Sequence, residues 1–141
     1  MNKVKVGLCL LISLSHLQLI ADEKLESDLR ERCKASFKII ENKDLAALNK
    51  LMPASPSEKE IEHNKKFLEK KYKEWFEKSG GITEIQDGKI LYGEASKKMK
   101  KRYSASQKVR VKFRVLAKNY NMNTSCTFIQ TSKGWFLSKL P

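Results

Sequence analysis

The sequence is poor in the residues that most enzyme chemistry uses. It holds two histidines, His16 and His63, and three cysteines, Cys9, Cys33 and Cys126. No Cys-x-x-Cys, no histidine pair and no Asp/Glu-rich loop offers a metal ion its ligands. A nucleophile needs a histidine and an orienting carboxylate beside it, and His63, alone in a Lys-rich stretch, reads as a surface residue instead. Gly80-Gly81 lacks the Lys and Ser/Thr of a phosphate-cradling loop. Paired carboxylates on a strand are missing as well. The reading is a chain with no catalytic residues, no metal and no cofactor.

Acidic residues are also scarce: 16 Asp and Glu face 29 Lys and Arg, a formal net charge of +13. Such a surplus either draws a protein to anionic surfaces, among them phospholipid headgroups, lipopolysaccharide phosphates, acidic polymers and nucleic acid, or simply reflects lysine as the default surface residue of a Lys-rich chain. Long apolar runs are absent too. The one candidate, Val6–Ala21, is diluted by Ser13, Ser15, His16 and Gln18 and falls short of the ~20 apolar residues that a spanning helix needs. Lys3 and Lys5 precede it and Asp22-Glu23-Lys24 follow it, the layout of a secretory signal peptide cleaved after Ala21 rather than of a stable membrane anchor. The expectation is a periplasmic or secreted chain in which residues 22–141 form a single domain. Losing Lys3 and Lys5 takes the formal charge from +13 to +11. Cys9 leaves with the signal, and Cys33 and Cys126 are then expected to pair in an oxidising compartment.

What is present is helical first and extended afterwards. Leu25, Leu29, Cys33, Ser36, Phe37 and Ile40 recur at helical spacing within Asp22–Glu41. Asp44 caps a short helix over Leu45–Met52, and Pro53 with Pro56 forces an extended connection. Ser57 and Glu60 form a capping box that opens a long helix, Glu58–Ser79, with Ile61, Leu68, Tyr72 and Trp75 along one stripe. Gly80-Gly81 ends it. Short strands are then expected at Ile82–Ile85 and Lys89–Glu94, around a turn at Asp87-Gly88. Ser96–Ser106 reads as an edge strand or a mobile basic loop. The strongest pattern is Val109, Val111, Phe113 and Val115 alternating with Arg110, Lys112 and Arg114, a strand with one face buried and one wet. Asn119–Asn123 turns the chain, Ser125–Thr131 returns, and Lys133-Gly134 turns again into Trp135–Leu137. The fold class is α+β, with N-terminal helices packed on a curved antiparallel sheet of about four to five strands.

Three stretches carry a family resemblance: IIENKDLAALNKLM at Ile39–Met52, GGITEI at Gly80–Ile85 and SKGWFLSKL at Ser132–Leu140. With the order of helices and strands, they resemble the nuclear transport factor 2-like (cystatin-like) superfamily, and more narrowly its small exported bacterial domains of unknown function. The resemblance implies a cone-like half-barrel, a bent sheet wrapped around a long helix, often with an apolar cavity at its mouth. It admits ketosteroid isomerase-type enzymes, dehydratases, small-ligand binders and components of secretion machines. Isomerase-type members place acidic and Tyr groups inside the cone. The inward candidates here, Val109, Val111, Phe113, Val115, Cys126 and Phe128, carry no acid/base chemistry.

Two constellations remain as candidate sites. Lys97, Lys98, Lys100, Lys101 and Arg102 are expected to join Arg110, Lys112, Arg114 and Lys118 in one cationic patch on the wet sheet face. Its partner would be an anionic envelope component or an acidic protein. Nucleic acid is not expected, because exposed aromatics and a known binding module are missing. Tyr72, Trp75, Phe76, Tyr92, Phe113, Phe128 and Trp135 are either plain core or the lining of a pocket for a small apolar ligand.

Overall fold

The computed structural model describes residues 9–141, with side chains from Asp22 onward. The signal-peptide expectation falls on residues 1–21, of which 1–8 lie outside the described residues. Helix α1 (Cys9–Glu41) leads into α2 (Leu45–Leu51) and α3 (Glu58–Tyr72), which continues as a π-helical turn, Lys73–Lys78. Strand β1 (Ile82–Glu94), helix α4 (Lys97–Tyr103) and strands β2 (Gln107–Ala117), β3 (Asn121–Thr131) and β4 (Gly134–Lys139) complete the chain. The strands form one antiparallel open sheet in the order β1-β2-β3-β4, with helices packed on it, as the α+β expectation required. No helix among the described residues is long and apolar enough to cross a membrane.

The alternation read in β2 sets the layers. Val109, Val111, Phe113 and Val115 are fully buried on the inner face beside Cys126 and Phe128 of β3 and Leu137 of β4. Onto them α1 lays Leu29, Cys33, Phe37 and Ile40, residues spaced three and four apart as a buried helical stripe demands. α1 is fastened in four ways. Cys33 and Cys126 form a disulfide across 93 residues of chain. Arg30 donates to the Gly88 carbonyl of β1 at 2.8 Å, and Arg32 to the Trp135 carbonyl of β4 at 2.7 Å. Lys34 pairs with Asp87 at 3.0 Å. The Asp87 hydrogen bond, helped by the charges of Asp87 and Glu31, raises the Lys34 pKa above its ordinary value against the pull of desolvation.

The caps hold as read. Asp44 accepts from the Ala47 amide, and Ser57 and Glu60 exchange both bonds of the capping box. The far end of the third helix differs from its expected α-helical course. Its last turn is π-helical, and the Ser79 hydroxyl donates to the Trp75 carbonyl, competing with the backbone bond expected there. Trp75 is buried edge-on against Phe37, with its indole N–H 3.4 Å from the Pro141 carbonyl. Ile61, placed on the buried stripe by its spacing, is instead 37% exposed.

Two segments correct the sequence reading. Ile82–Ile85 and Lys89–Glu94 are not two strands around a turn but one strand, β1, whose two halves both pair with β2. Asp87-Gly88 marks a bulge between the pairs Asp87–Phe113 and Ile90–Val111. Glycine is needed there for closeness: a Cβ at Gly88 would stand 2.7 Å from the Lys112 carbonyl oxygen. Ser96–Ser106 is neither an edge strand nor a loop but carries α4. Ser96 caps it by accepting from the Met99 amide, and Ser104 ends it in the left-handed region at φ 51°. Met99 and Tyr103, one helical turn apart, pack on Ile129 and Phe136 in a second, smaller core with Ala95 and Ala105.

Two outcomes are expected. Replacing the disulfide by Cys33→Ala and Cys126→Ala should cost about 2–5 kcal/mol, because the bridge closes a long loop. Denaturant unfolding reads this as a lowered midpoint, and an unchanged midpoint would show that the bridge does not hold α1 in place. Gly88→Ala should cost about 1–3 kcal/mol through the backbone clash. Gly93→Ala, whose nearest neighbour is 3.5 Å away, should change stability by under ~0.5 kcal/mol. Equal effects at the two glycines would refute the close-approach argument.

Candidate functional site

The expected cationic patch divides into three parts. Arg110, Lys112 and Arg114 are exposed and alternate with the buried valines, so they stand in a row on the outer face of β2. Their partners across the β2–β3 ladder are Thr127, Ser125 and Asn123, short side chains that leave the cations uncrowded. Toward β1 the row meets Leu91 and Gln86. Among the described residues none of the three has a carboxylate within ion-pair distance.

Lys97, Lys98, Lys100, Lys101 and Arg102 lie on α4, beyond the start of β2. Two of them are engaged: Lys100 pairs with Glu94 at 3.2 Å, and Arg102 pairs with Glu60 at the start of α3. Lys118 sits beyond the other end of β2, in the turn before β3. Its amide donates to the Gly81 carbonyl, and the neighbouring Asn119 bonds the carbonyls of Lys78 and Ser79. The 11 residues of β2, about 35 Å long, therefore separate Lys118 from α4. The row on β2 is thus flanked by α4 at one end and by the Lys118 turn at the other.

The seven aromatics do not gather around a cavity. Trp75, Phe113 and Phe128 fill the core as fully buried side chains, and Arg32 packs over the Phe128 ring at 5.2 Å. Tyr72 and Phe76 stack on each other at 5.7 Å, and Lys43 covers Tyr72 at 4.1 Å. Trp135 is half-buried, and its carbonyl is taken by Arg32. Spacing alone cannot separate a side chain that fills a core from one that lines a hole.

One concavity was not foreseen. A groove of about 510 Å³ opens between the end of α2, the first half of α3, α4 and the last residues of β4. Met99 and Tyr103 at one-turn spacing were its faint local signal, but the four elements meet there only in three dimensions. His63 lines this groove too. The carboxylate there, Glu60, is already held by Ser57 and Arg102. Among the described residues no group of His, Cys, Asp or Glu is arranged to hold a metal ion.

Tyr92, read from the sequence as core or pocket lining, is a strut instead. Its ring is 50% exposed, yet its hydroxyl donates to the Glu26 carboxylate of α1 at 3.1 Å. Desolvation, then the Glu26 bond and charge, push its pKa up to about 12. The neutral phenol is favoured in the folded state, so this contribution to stability is complete below the ordinary Tyr value of 10.0 and is lost as pH rises toward about 12. Ultraviolet titration should show a late-ionising phenol, and Tyr92→Phe should remove it. Retention of the late component in that variant would assign it elsewhere.

No family model matches the chain, and neither a curated protein nor a solved structure matches it, so the candidate site stands on its own residues.

Proposed function

We propose that the chain is an exported, non-enzymatic binding module whose outer sheet face engages an anionic partner, either an acidic component of the cell envelope or the acidic surface of a protein. The observation that carries this reading is the row Arg110, Lys112 and Arg114, exposed and without carboxylate partners among the described residues. Alternate strand residues stand about 6.6 Å apart, so the three cations present a straight ladder to an extended polyanion. The rigidity of a paired central strand means that little side-chain or backbone order is lost when the partner docks. Ser125 and Asn123, directly across from Lys112 and Arg114, add hydrogen-bonding groups beside the charges.

Export is supported by the basic, apolar and then abruptly charged order of the first residues, and by the disulfide between Cys33 and Cys126. The non-enzymatic reading rests on the same pairing, which removes both thiols from nucleophilic chemistry, and on Glu60 being committed to its cap and to Arg102.

The test compares two charge-matched variants. One is Arg110→Glu, Lys112→Glu and Arg114→Glu; the other places three glutamates on α3 at Lys65, Lys66 and Lys70. Binding to phosphatidylglycerol vesicles and to polyglutamate is measured near physiological salt, the two probes standing for the envelope and protein alternatives. The sheet variant should bind its preferred probe at least ~tenfold more weakly, while the α3 variant changes less than about twofold. Equal weakening by both would reduce the effect to net charge and sink the proposal.

A further inference from the structure

The groove between α2, α3, α4 and the end of β4 has the size of a small-molecule site, about 510 Å³ against the roughly 300–1,000 Å³ usual for such pockets. Its floor is apolar and continuous with the core: Leu48, Leu137 and Leu140 are buried, and Phe67 and Met99 pack on the buried clusters. Met52 and Met99 supply flexible, polarisable walls.

The polar groups of the groove are largely satisfied from within the protein. Asn64 donates to the Asn49 side chain at 3.1 Å. Ser138 donates to the Thr127 carbonyl at 3.1 Å. Glu60 and Arg102 hold each other and close one side between α3 and α4. What stays uncompensated is positive: Lys98 and Lys139 line the groove, both exposed and neither in an ion pair among the described residues. An apolar floor beneath two unmatched ammonium groups selects a ligand with an apolar body and an anionic head.

We propose that this groove binds a small single-chain amphipathic anion, an alkyl chain ending in a carboxylate or a phosphate ester. The chain lies along Leu48, Phe67, Met99 and Leu137, and the head is met by Lys98 and Lys139. The site is separate from the β2 row and does not depend on it.

Fluorescence titration of the oxidised full chain with dansylaminoundecanoic acid and with its uncharged methyl ester tests the proposal, and competition by dodecyl phosphate or dodecanoate identifies the preferred head. The acid should bind saturably, one molecule per chain, and the ester about tenfold more weakly. Lys98→Glu with Lys139→Glu should weaken the acid about tenfold and leave the ester within about twofold. Ala54→Trp, an exposed position on the groove wall, should weaken acid and ester alike. Lys112→Glu on the sheet row should change neither. Thermal unfolding of each variant at the parent temperature shows that the fold is intact, and the two variant sites give independent readouts should one disturb it. Equal affinity for acid and ester, acid binding that the lysine variant leaves intact, or loss through Lys112→Glu overturns the assignment, as does the absence of saturable binding.

Discussion

The fold depends on how α1 is held against the inner face of the sheet. Four strands in sequential order each pair with their neighbour in the chain, but the apolar face they make, Val109 to Val115 with Phe128 and Leu137, needs a cover. α1 supplies it and is fixed at points spread across the whole sheet. Arg30 reaches one edge strand, Arg32 the other, and Cys33 is bonded covalently to β3 between them. The two arginines also satisfy backbone carbonyls, at the β1 bulge and on β4. Helix placement, edge protection and the covalent link are thus one arrangement, concentrated within four residues.

With the inner face closed by α1, the outer face is left for contact with the surroundings. α4 covers one part of it, where Ile129 and Phe136 would otherwise be bare. The middle of β2 remains open and carries its three cations in register. Burial on one side and charge on the other follow from a single period-two pattern, so neither side can slip register without exposing valines. The position of the cationic row is therefore as firmly determined as the core itself.

Much of this was legible in the sequence because the signals were local and repeated. The β2 alternation, the spacing of Leu29, Cys33, Phe37 and Ile40, and the Ser57–Glu60 box each state their structure within a few residues. The errors lie where a distant partner decides. Asp87-Gly88 has the chemistry of a hairpin turn, yet β2 runs past it and pairs on both sides, so it becomes a bulge. Lys97–Tyr103 offers two apolar residues in seven, too few for periodicity, and it becomes a helix because Ile129 and Phe136 are there to be covered. The contact of α4 with α3 through Arg102 and Glu60 has the same cause, since adjacency in sequence around β2 says nothing of it. Beyond the Met99 and Tyr103 pair the groove has no linear signature, since its walls come from residues 48–67, 96–103 and 137–140.

The 93-residue span of the disulfide gives the molecule a closed covalent ring. The Pro53–Pro56 connection, the β1 bulge and α4 all lie inside that ring. A protease that cuts the exposed Ala54-Ser55 link would open the chain without releasing a fragment, because the two pieces stay joined through Cys33 and Cys126. The protein can be nicked at the wall of its own groove and still travel as one molecule for as long as its surroundings remain oxidising.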